Sequence, residues 1–137
     1  PHKTILDNVS LPLVLKGELR DSARDKAREL LGLFGLEGTQ DRWPAELSGG
    51  MRQRVAVLRA MRMDADFLLL DEPFRGLDAG TKKKTMNYIR RKGKEKTMLL
   101  VTHDLEEAEA MGDWICTCSR LDGILEIKRN RKSSTEI

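Results

Sequence analysis

The chain has 137 residues, with 25 Lys and Arg against 22 Asp and Glu, and a net charge of +3 is too small to argue for a nucleic-acid partner by itself. Its 39% apolar and 34% charged content disfavours disorder and collagen, and two cysteines cannot staple a disulfide scaffold. The longest uncharged apolar runs are about six residues, far below the roughly 20 that a membrane span needs.

In chain order, Pro1-His2-Lys3-Thr4 carries neither an initiator Met nor a signal-peptide h-region and reads as the middle of a longer polypeptide. Pro12, Gly17 and Asp21 punctuate a first stretch that is expected to be irregular. A helix follows, in which Ala23, Ala27, Leu30, Leu31 and Phe34 recur at helical spacing before Gly32, Gly35 and Gly38 crowd its end. Trp43-Pro44 reads as an extended connector, because the residue before proline is pushed out of the α region. From Met51 the pattern is helical again. Met51, Val55 and Leu58 form one stripe, Ala56, Ala60 and Met63 its neighbour, and Arg52 and Arg59 a polar face.

Phe67 to Leu70 and Met98 to Val101 are short, continuously apolar runs, the pattern of parallel strands buried on both faces. A helix from about Thr81 to Lys92 separates them, giving a β–α–β unit and an α/β fold class. Residues 82–96 carry a local net charge of +7. Without interleaved aromatics this suits the solvated face of a helix whose Met86 and Ile89 pack inward better than a nucleic-acid patch. A short helix over Leu105 to Met111 leads to strands at Trp114 to Ser119 and Ile124 to Ile127, joined by a turn at Asp122-Gly123. Cys116 and Cys118 share one face of the first of these and are expected to be reduced and partly buried, since no second ligand pair completes a zinc site. Lys128 to Ile137 reads as a frayed end.

Four groups of residues carry chemistry. Leu47-Ser48-Gly49-Gly50-Met51 precedes a long helix, so its backbone N–H groups face either an anion drawn by the helix dipole or an ordinary serine cap. Asp71 and Glu72 end the first apolar run, where ligands of parallel sheets collect. Asp71 there suits Mg²⁺ held through water and Glu72 the orientation or deprotonation of an attacking water; the alternative is a solvated strand end before a turn at Pro73. Gly76-Leu77-Asp78 alone is a turn with a capping aspartate. His103 follows the second apolar run, as a donor to a γ-phosphate, an orienter of water, or a structural histidine.

In this order the four groups resemble the ATP-binding cassette (ABC) family, over nearly the whole chain from Pro1 to about Ile127. Leu47 to Gly50 is similar to its signature motif, with Met51 in place of the more usual glutamine, and Phe67 to Glu72 to its Walker B strand with the catalytic glutamate. Gly76 to Asp78 is similar to the D-loop and His103 to the switch histidine. Ser48 to Val55 looks most like the ATPase subunits of bacterial importers of the nitrate, sulfonate and taurine group.

The resemblance implies a partial P-loop NTPase core with parallel strands, residues 64–137, plus a helical subdomain, residues 1–63. It also implies ATP and Mg²⁺ as cofactors, Glu72 and His103 as catalytic, Asp71 as metal-holding, and Ser48, Gly49, Gly50, Met51 and Asp78 as nucleotide-binding. The implied partners are a second ABC ATPase subunit in a head-to-tail dimer, transmembrane permease subunits and, indirectly, a solute-binding protein. No nucleic acid is expected, and the place is cytoplasmic, peripheral on the inner face of the membrane. No Gly-x-x-x-x-Gly-Lys-Ser/Thr occurs in these residues. The chain therefore reads as a carboxyl-terminal piece of such a subunit, lacking Walker A and the Q-loop, and as inactive alone. A chromosome-maintenance or DNA-repair ATPase head, and a non-catalytic module complementing a partner's P-loop, are the alternative readings.

Overall fold

The computed structural model describes residues 2–118 and 125–130. Thr4 starts helix α1, Ile5–Leu15, by accepting the Asp7 N–H on its Oγ1 at 3.3 Å, which satisfies one of the donors that a helix start leaves open. This corrects the expectation of an irregular opening stretch. Pro12 lies inside the helix, where proline costs about 3 kcal/mol. Ile5, Leu6, Val9 and Leu13 are nevertheless buried, and at roughly 1.5–3 kcal/mol each their burial outweighs the proline. Helix α2, Arg20–Leu33, buries Ala23, Ala27, Leu30 and Leu31 and packs against α1, with Arg24 Nη2 3.3 Å from Asp7 Oδ1.

Trp43 is extended, as read, and leads into a 3₁₀ turn over Pro44–Glu46. Helix α3, Gly49–Arg62, uses Val55 and Leu58 as expected, but its buried arc continues through Val57 and Met61, while Ala56 and Met63 are exposed. The reason is that α3 meets α1 on one side and the strand that follows it on another, so the covered arc turns away from Ala56.

Strands β1, Phe67–Asp71, and β2, Thr97–Val101, pair in parallel with Leu68 opposite Met98 and Leu70 opposite Leu100. Helix α4, Ala79–Gly93, connects them. The strands are not buried on both faces. Leu68 and Leu70 are buried, whereas Phe67, Leu69, Leu99 and Val101 are 47–61% exposed. Successive strand residues point to opposite faces, and among the described residues the helices cover only one of the two.

Helix α5, Leu105–Met111, leads to β3, Trp114–Cys118, which pairs antiparallel with β4, Leu125–Arg129. The expected turn at Asp122-Gly123 lies outside the described residues. The frayed end is corrected for Lys128 to Asn130. Lys128 and Arg129 belong to β4, and buried Asn130 donates from Nδ2 to Glu109 O at 2.6 Å and to Gly112 O at 2.7 Å; residues 131–137 lie outside the described set. Cys116 is exposed rather than partly buried, and the side chain of Cys118 lies outside the described residues.

One apolar cluster runs from Ile5 and Val9 through Leu31, Phe34 and Leu58 to Leu68, Leu70 and Ile89. Phe34 meets Tyr88 edge-on, 5.7 Å between ring centres, and Thr85 Oγ1 donates to Leu33 O at 3.4 Å. The amino-terminal helices and the β–α–β unit thus share a core, and the site lies where α3 begins and β1 and β2 end.

Candidate functional site

Parallel pairing continues one residue past β1, with Glu72 N–H donating to Val101 O at 2.9 Å. Glu72 then turns into the left-handed region, φ 46°, a conformation that costs a non-glycine residue about 1–3 kcal/mol. The chain can turn there because the surroundings hold it. Gln53, on α3, donates from Nε2 to the carbonyls of both Asp71 and Glu72, the latter at 3.1 Å, and Arg75 N–H donates to Glu72 O at 3.2 Å. Gln53 lies within the Ser48 to Val55 stretch, but the sequence assigns it no role of its own. Its signal is faint: it stands one turn before Val57 and two before Met61, a polar residue in line with an apolar stripe.

The Glu72 turn brings its side chain to His103. Oε1 accepts the His103 backbone N–H at 3.0 Å and lies 2.7 Å from His103 Nδ1. A carboxylate only accepts, so Nδ1 carries the proton. Two consequences follow. The neutral ring then offers Nε2 as an acceptor, and His103 donates through Nε2 only as imidazolium. Glu72 Oε2 keeps no partner among the described residues and is free to accept a proton from water. Hydrogen bonding from His103 is the largest cause holding the Glu72 carboxyl below the usual carboxylate range, with its own desolvation opposing. Glu72 is therefore ionised at neutral pH.

Asp71 ends β1 exposed, and its carboxylate makes no hydrogen bond or ion pair among the described residues. No group of three or more His, Cys, Asp or Glu converges among them. A divalent cation at Asp71 would therefore need oxygens from phosphate and water, as Mg²⁺ sites on nucleotides do. Ser48 Oγ accepts the Met51 N–H at 3.3 Å and so caps α3. The Cβ position of Gly49 is open, with nothing within 4 Å, and that of Gly50 touches only Arg54 Nη1 at 3.9 Å and Arg75 O at 4.0 Å. Bare backbone at a capped start of a 14-residue helix suits an anion.

Gly76 has φ 73°, which only glycine adopts freely, and it delivers Asp78 to the start of α4. Asp78 Oδ1 accepts the Thr81 N–H at 3.0 Å, and hydrogen bonding from Thr81 depresses its carboxyl. Of the sequence-selected residues, Glu72 and His103 are in contact and Asp71 adjoins them. Ser48 to Met51 reach the same strand end through Gln53, while Asp78 serves as a cap with no hydrogen bond to Glu72 or His103.

Residues 1–75 match the sequence profile of the family described as ABC transporter. The formylaminopyrimidine import ATP-binding protein of Halalkalibacterium halodurans is 42% identical across 99% of this chain and 58% of its own length. The trimethylamine N-oxide transport system ATP-binding protein of Pelagibacter ubique is 38% identical across 92% of this chain and 37% of its own length. The Fe(3+) ions import ATP-binding protein of Rhizobium meliloti is 46% identical across 84% of this chain and 33% of its own. A solved ATP-binding cassette, a dimer in a post-hydrolysis state with ADP and Pi, superposes with a TM-score of 0.74 at 33% identity, covering 96% of this chain and 58% of that one. The chain thus spans a third to three-fifths of the length of these relatives.

Proposed function

The chain belongs to the ABC transporter family, and from that premise we propose that it supplies the water-activating and signature parts of an ATP-hydrolysing importer subunit. The observation that carries this reading is the Glu72–His103 pair at the carboxyl ends of two parallel strands, with one carboxylate oxygen held at 2.7 and 3.0 Å and the other without a partner among the described residues. Glu72 orients and deprotonates the attacking water through Oε2. His103 fixes the carboxylate and, as imidazolium, donates from Nε2 toward phosphate. Asp71 would hold Mg²⁺ through water, and the ion when bound would neutralise charge developing on the phosphates.

Ser48, Gly49 and Gly50, with Met51 beside them, would close over ATP held by a second copy in a head-to-tail dimer, and Asp78 would lie along the shared interface. Residues 1–63 form the helical subdomain and 64–137 half of the ATPase core. The phosphate cradle comes from a further segment bearing the Gly-x-x-x-x-Gly-Lys-Ser/Thr loop. Transmembrane permease subunits and, through them, a solute-binding protein complete the importer, which places this chain on the cytoplasmic face. No helix among the described residues is long and apolar enough to cross a membrane. The segment preceding α3 holds a 14-residue helix followed by a loop and a 3₁₀ turn rather than a long coiled coil, which favours a transporter over a chromosome-maintenance head.

The test is ATP turnover by this chain assembled with a segment carrying the phosphate-binding loop. Glu72→Gln is expected to lower kcat by about 10²–10⁴-fold, the usual range for a lost general base, while ATP binding persists. Turnover by Glu72→Gln equal to that of the unaltered protein would remove Glu72 from this role.

A further inference from the structure

The residues on either side of His103 are tied to α4. Lys82 stands in the first turn of that helix, its N–H donating to Asp78 O at 2.8 Å. The Lys82 ammonium donates to Asp104 Oδ2 at 3.1 Å and to Glu107 Oε1. Glu107 is only 5% exposed. Its second oxygen accepts from Thr102 Oγ1 at 2.7 Å, and Thr102 Oγ1 in turn accepts the Asp104 N–H at 3.1 Å. Thr102 and Asp104 bracket His103, and Asp104 also caps α5 by accepting the N–H groups of Glu106 and Glu107 on Oδ1.

Exposed ion pairs contribute little, but a carboxylate as buried as that of Glu107 needs its cation, and removing the partner leaves an uncompensated charge. The loop would then open to hydrate Glu107, carrying Thr102 and Asp104 with it. Lys82, Thr102 and Glu107 make no hydrogen bond to Glu72, so the cluster acts on the reacting atoms only through the loop. We propose that Lys82, through Glu107 and Asp104, is a positioning residue that clamps the His103 loop to α4, so that the Gly76–Asp78 turn and His103 shift together. Its consequence for ATP turnover rests on the function proposed above; the clamp itself does not.

Amide hydrogen exchange on the whole 137-residue chain reads the clamp directly. Lys82→Met is expected to lower protection of the His103 amide about tenfold by local opening, while the Leu58 amide in α3 keeps its protection. Lys82→Arg is expected to restore the His103 value. In the chain assembled with a phosphate-loop segment, Lys82→Met is expected to lower kcat about tenfold with KM for ATP changed less than about twofold. Unchanged His103 protection in Lys82→Met overturns the proposal, as does an equal loss at Leu58 in both the Met and Arg variants. Altered exchange at His103 alone, in an assembly that never hydrolyses ATP, upholds the clamp and removes the functional reading instead.

Discussion

At Glu72 the backbone and the side chain serve one purpose. A left-handed φ at a non-glycine residue turns the carboxylate back over the strand end, where a single oxygen takes both His103 donors. Because those donors favour the ionised form, the folded carboxyl titrates below its unfolded value of about 4.3. The contact's contribution to stability is therefore fully present above pH 4.3 and is lost as pH falls through the lower folded value. A carbon-detected NMR titration should place the Glu72 midpoint below the ordinary glutamate value, and His103→Ala should move it back up; a midpoint that the substitution leaves in place would separate the two residues. Glu72 and His103 were each legible as strand-end residues, since an apolar run that stops at a polar group marks the carboxyl end of a buried strand. Their contact was not, because a separation of 31 positions says nothing about register. Gln53 escaped for the same reason: its partners are backbone carbonyls of a strand remote in sequence, and carbonyls leave no mark on the residue types around them.

At the level of elements, the expected bounds of α2, α4 and α5 lie close to those observed, while Pro12 hides α1. Proline reads as punctuation, yet four buried side chains hold the helix through it. The strands carry two expectations. Their continuous apolar character suits burial on both faces in a complete core, whereas a core without the P-loop strand is expected to bare apolar faces beside Leu68 to Leu70 and Met98 to Val101; Phe67 and Leu69 do lie open beside Leu99 and Val101. The apolar character is explained if a further segment of the ATPase core covers that face. In its absence the face, and the strand edges left unpaired among the described residues, invite pairing between copies. Light scattering should show concentration-dependent self-association of the 137-residue chain, reduced by Leu69→Lys; a monomer at high concentration with and without the substitution would contradict this. The turn at Gly76 carries its own expectation. A Cβ there meets no neighbour, so Gly76→Ala tests backbone strain alone and should cost about 1–2 kcal/mol, read from urea unfolding.

For the whole molecule, the apolar cluster joins the amino-terminal helices to the β–α–β unit, so the start of α3 and the end of β1 are held by one packed body. Gln53 adds a direct hydrogen-bonded link between them. What this body provides is a glutamate held by a histidine, an exposed aspartate at a strand end and a bare helix start. What its sequence does not contain is the loop that grips a triphosphate, and phosphoryl transfer depends on positioning more than on any one acid or base. The most direct measurement is a calorimetric titration of the 137-residue chain with Mg·ATP, repeated after assembly with a phosphate-loop segment. No saturable binding to the chain alone is expected up to about 1 mM, a limit equivalent to roughly −4 kcal/mol, and saturable binding with turnover is expected in the assembly. Micromolar saturation of the chain by itself would contradict it.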